Sequence, residues 1–312
     1  MDKISIIVPC YNESESLFTY YKETTKILLK IKTKYEIIFI DDGSTDNTLK
    51  IIKDLARKNQ NIKYLSLSRN FGKEAALIAG LNISSGNIIS FMDADLQDPP
   101  YLLLEMYKLI KNSNYDVVYT RRIDRKGENK LISLFSNLFY KIINKISDYK
   151  LVQNERDYRM FTDKVRETVL KFSEYNVYIK GIFSFIGFNS YCIEYTNVNR
   201  KKGKSKYGFV KLFKLANNAI TNLTTIPLSL ASFLGFVVCL ISFLAMIFII
   251  IKTILYGDPV SGWPSMVCIL LFISGIQLLC MGFIGKYLSN TYMETKHRPL
   301  YIVKEDNLKN KK

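Results

Sequence analysis

Two carboxylates one residue apart, Asp93 and Asp95, directly follow an apolar run at residues 88–92 that is typical of a buried strand. Gln97 comes two residues later, and a Pro-Pro pair at residues 99–100 can open a helix. Ligands of an open α/β sheet bind beyond the carboxyl ends of its strands. Carboxylates placed there suit a hard divalent cation that bridges a diphosphate. Taken alone, such a pair is more often a helix cap or a turn, so the prediction depends on its neighbours.

Three further polar clusters follow strand-like runs in the first 120 residues. Tyr11-Asn12-Glu13 follows residues 4–8, Asp41-Asp42-Gly43-Ser44 follows residues 36–40, and Arg69-Asn70 follows residues 62–68. Helix-like segments separate these runs, which predicts βαβ units and a mostly parallel sheet. The carboxyl ends of parallel strands meet at one edge, so we expect all four clusters to converge on a nucleotide site.

Asp42 is suited to accept a hydrogen bond from a uracil N–H or from ribose hydroxyls, and Gly43 lets the backbone approach a ligand closely. Neither G-x-G-x-x-G nor G-x-x-x-x-G-K-[ST] occurs, which argues against a dinucleotide cofactor and against ATP hydrolysis. A divalent cation is therefore expected to bind the diphosphate in place of a glycine-rich loop. Each polar cluster by itself is more often turn chemistry than a ligand contact.

The five cysteines show no Cys-x-x-Cys spacing, so neither a disulfide framework nor zinc is indicated. The single histidine, His297, lies in a basic tail and is interpreted as an interfacial bystander. Any acid–base chemistry is then left to carboxylates or to the substrate itself.

Lys and Arg exceed Asp and Glu by 44 − 28 = 16 in the 312 residues, which favours a phosphate-bearing partner. Two uncharged runs, at residues 226–251 and 263–285, are each long enough at ~1.5 Å per residue to cross a ~30 Å hydrocarbon core. Basic residues flank both runs, which predicts that the N-terminal domain and both termini are cytoplasmic. The alternative is a buried helical hairpin in a soluble protein. No cleavable signal is expected at residue 1.

The predicted organisation is a domain at residues 1–215, two membrane helices, and a basic cytoplasmic tail at residues 286–312. Residues 130–146 have apolar side chains at helical spacing with interspersed lysines, which predicts an interfacial helix or, alternatively, an amphipathic core helix. A second interfacial helix is expected at about residues 207–222. Asp157 and Arg159, two residues apart, would share one side of an extended segment.

Residues 4–120 resemble the family 2 glycosyltransferases of GT-A fold through VPCYNE, DDGSTDNT and the Asp93-Ala94-Asp95 pair. RNFGKEAALIAGL, MDADLQDPP, KGIFSFIGF, the R-x-x-G-x-S-K run, GWPS and RPLYIV are more narrowly similar to polyprenyl-phosphate glycosyltransferases. The likeness is to the bactoprenol glucosyltransferase and dolichol-phosphate mannose synthase type. It implies an α/β GT-A domain, Rossmann-like with a mostly parallel sheet, followed by interfacial helices and two transmembrane helices.

The resemblance also implies roles for individual residues. Asp93, Asp95 and Gln97 would surround Mg²⁺ or Mn²⁺, with Asp93, Asp95 and Asp157 as the catalytic residues. The nucleotide sugar would contact Pro9, Tyr11, Asn12, Glu13, Asp42, Arg69, Lys73, Asp93 and Gln97, and the lipid phosphate would contact Arg159, Arg200, Ser205 and Lys206. The run that contains the last three residues can also be the positive-inside flank of a membrane helix.

The implied reaction moves a sugar from a UDP-sugar to undecaprenyl phosphate, with inversion, at the cytoplasmic face of the bacterial inner membrane. Glucose is the first expectation from family frequency, with N-acetylglucosamine, galactose and modified pentoses behind it. The product would serve cell-envelope glycan modification such as that of O-antigen, with a flippase and a second glycosyltransferase downstream. A homo-oligomer is also possible, because partners would steady two lone membrane helices.

The sequence departs from the family pattern at Arg156, where glycine is usual, and at Lys286 and Ser289-Asn290, where Glu and Gly-Arg are usual. Asp157 is either a catalytic base or a group that holds Arg159 or a lysine. A base is not required, because a phosphomonoester with a second pKa of ~6 is mostly dianionic at pH 7.

Three other functions are alternatives to this one, and sequence features or a simple test separate them from it. A nucleic-acid-binding protein fits the basic balance, but the cations cluster beside the apolar runs and an aromatic-basic binding motif is absent. A non-enzymatic membrane partner, such as a scaffold for a flippase, predicts no transfer at all. A processive polysaccharide synthase would carry a Gln-x-x-Arg-Trp motif, whereas the sole tryptophan, Trp263, follows Ser261-Gly262.

Overall fold

The structure, a computed structural model, describes residues 2–123, 144, 152–153, 155–196, 226–256 and 262–308. The chain divides into two compact units. The first is Met1–Leu212 together with Pro299–Lys312, and the second is Phe213–Arg298. The predicted interfacial helices at residues 130–146 and 207–222 lie outside the described residues, apart from residue 144.

The first unit is built on one eight-stranded sheet. Its strands are β1 (Lys3–Cys10), β2 (Lys34–Asp41), β3 (Ile62–Leu67), β4 (Ile88–Phe91), β5 (Val117–Arg122), β6 (Glu155–Thr162), β7 (Ser190–Tyr195) and β8 (Val303–Asp306). They lie in the order β7-β5-β6-β4-β1-β2-β3-β8. The pairs among β3, β2, β1 and β4 are parallel, as the βαβ alternation predicted.

The sheet as a whole is mixed rather than uniformly parallel. β6 runs antiparallel to both β4 and β5, while β5 pairs with β7 in parallel. This reversal brings the start of β6 to the same edge as the carboxyl ends of β1 to β4. Asp157 therefore lies close to the Asp-x-Asp, since Arg159 pairs with Phe91 at the end of β4.

Six helices of the first unit lie within the described residues. They are α1 (Leu17–Ile31), α2 (Thr48–Lys58), α3 (Lys73–Ile83), α4 (Leu102–Asn112), α5 (Asp163–Val169) and α6 (Ile179–Phe185). The first four coincide with the helix-like segments of the sequence to within a few residues. Two apolar clusters, on opposite faces of the sheet, form the core. α3 lies so close to β1 that a Cβ on Gly80 would stand 2.3 Å from Ile7 Cγ2.

The C-terminal end of the chain returns to this sheet. β8 pairs antiparallel with β3, with Leu65 opposite Asp306 and Leu67 opposite Val303. Only a basic tail was expected in this region, because a run of four residues with three charges carries no clear strand pattern.

The second unit contains two long helices, α7 (Ile226–Tyr256) and α8 (Trp263–Thr295), which cover both uncharged runs. Cys280 Sγ of α8 donates to the carbonyl of Ala231 in α7 at 3.5 Å, so the two helices touch. Among the residues that the structure describes, one helical stretch, Phe272–Thr295, is long and apolar enough to cross a membrane. The crossing by α7 stays a prediction.

Candidate active site

A cluster of alternating charges lies at the carboxyl edge of the sheet, between β4, β6 and two helices. Lys73, the first residue of α3, places its Nζ 2.7 Å from an Asp93 oxygen and 2.6 Å from an Asp157 oxygen. Lys180 of α6 approaches the other oxygen of Asp157 at 3.5 Å and donates to the carbonyl of Glu155 at 2.8 Å. Two carboxylates and two ammonium groups are therefore interleaved.

This arrangement controls the protonation of its members. Burial acts to raise the pKa of Asp157, but the ammonium groups of Lys180 and Lys73 hold it well below its usual range. Burial acts to lower the pKa of Lys73, yet Asp93 and Asp157 raise it above its ordinary value. Burial raises the pKa of Asp93 in spite of Lys73. Asp157 is thus a persistent carboxylate and Lys73 a persistent cation.

Glu74, the next residue of α3, joins the same cluster. Burial and the charge of Asp157 raise the pKa of Glu74 to about 7, although Lys73 and Lys180 oppose the shift. The backbone N–H of Ile179, at the start of α6, donates to Glu74 Oε2 at 3.4 Å. Neither Glu74 nor Lys180 was predicted as a site residue, and the one available signal in the sequence was a lysine beside the apolar run of KGIFSFIGF.

The turn after Asp93 is held by arginines from the neighbouring strands. Arg122 Nη2 and Arg156 Nη2 donate to Gln97 Oε1 at 3.2 and 3.4 Å. Arg156 Nε is also 3.2 Å from Asp98, a carboxylate that is 1% exposed. Asp98 and Arg122 were not predicted as site residues.

Asp95 and Gln97 make a further contact within this turn, since the Gln97 N–H donates to Asp95 Oδ1 at 3.1 Å. The Tyr195 hydroxyl of β7 donates to Asp98. The side-chain oxygen of Gln97, Oε1, already accepts hydrogen bonds from two guanidinium groups. The predicted role of Gln97 as a metal ligand therefore requires its side chain to rotate.

Asp42 lies at the end of β2 and is buried. Its Oδ1 accepts from the N–H of Phe71 at 2.7 Å and its Oδ2 from the N–H of Gly72 at 2.9 Å. Burial raises the pKa of Asp42, against these two hydrogen bonds. The carboxylate therefore fixes the loop between β3 and α3, residues 68–72, and each oxygen keeps one lone pair for a ligand.

The loops after β1 and β2 are joined to each other. Asn12, with φ of 56°, accepts from the N–H of Thr45 at 2.8 Å, and its own N–H donates to Ser44 Oγ at 3.0 Å. The N–H of Glu13 donates to Thr48 Oγ1 at 2.8 Å. These contacts are the turn chemistry that each polar cluster suggests when it is taken singly. They also hold the predicted nucleotide residues of two strands together.

The remaining predicted nucleotide residues lie along the same edge. Pro9 is half-buried within β1, and Tyr11 is 42% exposed just beyond it. Arg69 is exposed and stacks on a neighbouring ring, with its Cζ 4.7 Å from the centroid of Phe71. The four strand-end clusters therefore meet at one edge, as predicted.

Of the four residues predicted to contact the lipid phosphate, the structure describes only Arg159. Arg159 is 0% exposed; its Nη2 lies 3.0 Å from Glu155 and its Cζ lies 4.3 Å from the ring centroid of Phe183. Arg159 therefore supports the site from beneath Asp157. Because its side chain is fully buried, a phosphate cannot contact it. Residues 200, 205 and 206 lie outside the described residues, so their predicted role is untested.

The side chains present fit a divalent cation at Asp93 and Asp95. Both oxygens of Asp93 already lie within 2.8 Å of the ammonium of Lys73, so this position accommodates positive charge. Within the described ranges, no three His, Cys, Asp or Glu side chains form a metal cluster of their own. Two carboxylates with substrate phosphates as further ligands is the usual pattern for Mg²⁺.

Residues 5–170 match the family described as "Glycosyl transferase family 2". A glycosyltransferase of Bacillus subtilis (strain 168), CsbB, is 41% identical over 99% of this chain and 93% of its own length. The bactoprenol glucosyl transferase of Shigella phage SfV is 38% identical over 98% of this chain and 100% of its own length.

Among solved structures, glucosyl-3-phosphoglycerate synthase from Mycobacterium tuberculosis is similar with a TM-score of 0.48 and 18% identity. The similarity covers 71% of this chain and 78% of the other, and at this level it carries no conclusion about ligands. The full-length likeness to the relatives, the match over residues 5–170 and the converging strand ends agree with one another. The chain belongs to glycosyltransferase family 2.

Proposed function

We propose that this glycosyltransferase transfers glucose from UDP-glucose to undecaprenyl (bactoprenyl) phosphate, with inversion, at the cytoplasmic face of the bacterial inner membrane. The observation that carries the proposal is the interleaved cluster of Lys73, Asp93, Asp157 and Lys180 at the carboxyl edge of the sheet. Relatives named bactoprenol glucosyl transferase match nearly the whole chain, which supports this acceptor and this sugar.

The donor is proposed to lie over β1, β2 and β3. Asp42 and the loops after these strands form a rigid, hydrogen-bonded rim that suits a nucleoside, and exposed Arg69 adds a positive charge beside it. Asp93 and Asp95 would hold Mg²⁺ or Mn²⁺. A divalent cation bound there withdraws negative charge from the donor diphosphate and so improves the leaving group.

The acceptor phosphate is proposed to attack the anomeric carbon directly. Because a phosphomonoester is mostly dianionic at pH 7, it needs no base. Asp157 is poorly suited to be one, since two ammonium groups hold its pKa well below its usual range. Its proposed task is to anchor Lys73 and Lys180 beside the reacting groups, where their positive charge stabilises phosphate oxygens.

The membrane part of the proposal relies on the apolar helices. α8 contains a stretch of suitable length and composition, and α7 is predicted to cross as well, so that the chain is multi-pass with both termini cytoplasmic. Arg200, Ser205 and Lys206 are proposed to meet the lipid phosphate just before α7. Delivery of the lipid-linked sugar to a flippase and a second glycosyltransferase would follow.

One screen tests the proposal. The purified full-length chain is incubated with undecaprenyl phosphate and each of several nucleotide sugars, and the lipid product is identified by mass spectrometry. We expect a glucosyl lipid from UDP-glucose and its loss in the Asp95→Asn variant. A product from UDP-N-acetylglucosamine alone would change the sugar but not the reaction, and absence of any lipid product would overturn the proposal.

A further inference from the structure

The last strand of the chain, β8, closes the edge of the catalytic sheet next to β3. Asn307 makes two side-chain hydrogen bonds to β3: its Oδ1 accepts from the N–H of Tyr64 at 2.8 Å, and its Nδ2 donates to the carbonyl of Ile62 at 3.1 Å. Lys53 of α2 pairs with Glu305 at 2.7 Å. Without β8, β3 would be an edge strand with unpaired amide groups.

The contacts extend to the point where β3 ends. The N–H of Ser68, the first residue of the β3–α3 loop, donates to the carbonyl of Ile302 at 2.9 Å. Leu300 and Tyr301 pack against the apolar cluster on this face of the sheet, and the Tyr301 hydroxyl lies 3.2 Å from Asn82 Nδ2 in α3. The returning chain therefore contacts the first residue of the β3–α3 loop and the C-terminal end of α3, the helix that follows the loop.

The β3–α3 loop carries much of the site. It contains exposed Arg69, it is followed at once by Lys73, and Asp42 binds two of its amides. Gly43 lies beneath it, where a Cβ would stand 2.4 Å from the carbonyl carbon of Arg69. β2 thus fixes the loop on one side, and β8 fixes the strand that leads into it on the other.

We propose that β8 and the residues around it, 300–307, are a positioning element for donor binding: they hold the end of β3 so that the β3–α3 loop keeps the conformation that presents Arg69 and Lys73. The chain reaches β8 soon after the apolar helix α8 ends at Thr295. The inference rests on the proposed function only in its choice of ligand, UDP-glucose.

The test compares the full chain with two variants, Asn307→Ala and a truncation after Arg298. Leaving the N–H of Tyr64 without its acceptor is expected to raise the KM for UDP-glucose about tenfold, with the KM for undecaprenyl phosphate unchanged. Hydrogen exchange gives an independent readout. The amides of Tyr64 and Ser68, and beyond them those of Phe71 and Gly72, should exchange faster in both variants.

Two controls separate positioning from general stability. Asn307→Asp keeps the acceptor for Tyr64 and should recover most of the donor affinity, whereas Lys108→Ala changes an exposed side chain of α4, outside residues 300–307, and should behave as wild type. Unchanged exchange at Phe71 and Gly72 in the truncated chain would overturn the inference, whatever the activity. If wild-type protein fails to bind UDP-glucose, the proposed donor is wrong, and the exchange comparison still decides the role of β8.

Discussion

Replacing Asp157 by asparagine distinguishes a catalytic base from an anchor for lysines. The variant keeps the size of the side chain but removes the negative charge that lies 2.6 Å from Lys73 Nζ and 3.5 Å from Lys180 Nζ. Lys73 retains Asp93, whereas Lys180 loses its one described ion pair. We therefore expect the variant to fold, with its lysines less well placed.

The size of the effect follows from the exposure of the groups. The side chain of Asp157 is 23% exposed and that of Lys73 is 38% exposed, so their interaction lies between a surface pair and a buried one. A loss of about 2 to 3 kcal/mol is expected for breaking it. If that loss falls on the transition state, kcat drops about 30- to 160-fold.

The decisive measurement is the pH dependence of kcat from pH 5 to 8, with radiolabelled UDP-glucose and undecaprenyl phosphate in detergent. Titration of the lipid phosphate, with a pKa of ~6, gives an acidic limb in any variant. An anchor with its pKa well below the usual range adds no limb of its own, so the wild-type and Asp157→Asn profiles should differ in height and in the titration of Glu74 near pH 7, which loss of the Asp157 charge moves to lower pH. A limb that vanishes only in Asp157→Asn would identify a base and refute this reasoning.

A matched control is available on the surface. Asp54 pairs with Arg57 at 3.5 Å, and both side chains are more than half exposed. Asp54→Asn makes the same chemical change away from the site and should leave both kcat and the pH profile unaltered.

Two further predictions concern residues of β2 and of the turn that follows it. Gly43→Ala should abolish UDP binding in calorimetry, because φ is +66° and the new Cβ would lie 2.4 Å from backbone of the β3–α3 loop; Gly275→Ala, whose Cβ would meet nothing within 4 Å, is the control. Glu36→Gln should lower stability at pH 7 by about 2 kcal/mol, because ammonium groups of Lys3 and Lys63, against the effect of burial, lower the pKa of Glu36 to about 2. That stability is present above the ordinary pKa of 4.5 and is lost as pH falls through 2, so thermal unfolding of the variant should depend less on pH in this window.

The half of the site made from strand ends could be predicted from sequence. Apolar runs fixed four parallel strands, and a parallel sheet necessarily brings their carboxyl ends to one edge. The clusters at Asn12, Asp42, Arg69 and Asp93 therefore converge without knowledge of any side-chain contact. The pattern alone predicted that these clusters share one edge of the sheet, which the parallel pairing confirms, whereas their role in binding stays a prediction.

The partners of those residues could not be predicted, because they depend on packing between distant segments. Lys73 pairs with Asp157, 84 positions away, and this pairing exists only because β6 enters the sheet in the reverse direction. The same packing buries Arg159 under α6, whereas the family resemblance implied a phosphate contact for it. β8 escaped prediction because its pairing energy comes from β3 and Asn307 rather than from its own composition.

The two halves of the edge differ in how they are stabilised. On the β1–β3 side, loops are joined by hydrogen bonds from backbone amides, such as those to the side chains of Asn12 and Asp42. On the β4–β6 side, ion pairs of Lys73 and Lys180 with carboxylates dominate. A rim of such hydrogen bonds suits the constant part of a nucleotide donor. A cluster of ion pairs suits the phosphates, because each phosphate oxygen that enters can form an ion pair with an ammonium group that a carboxylate has already positioned.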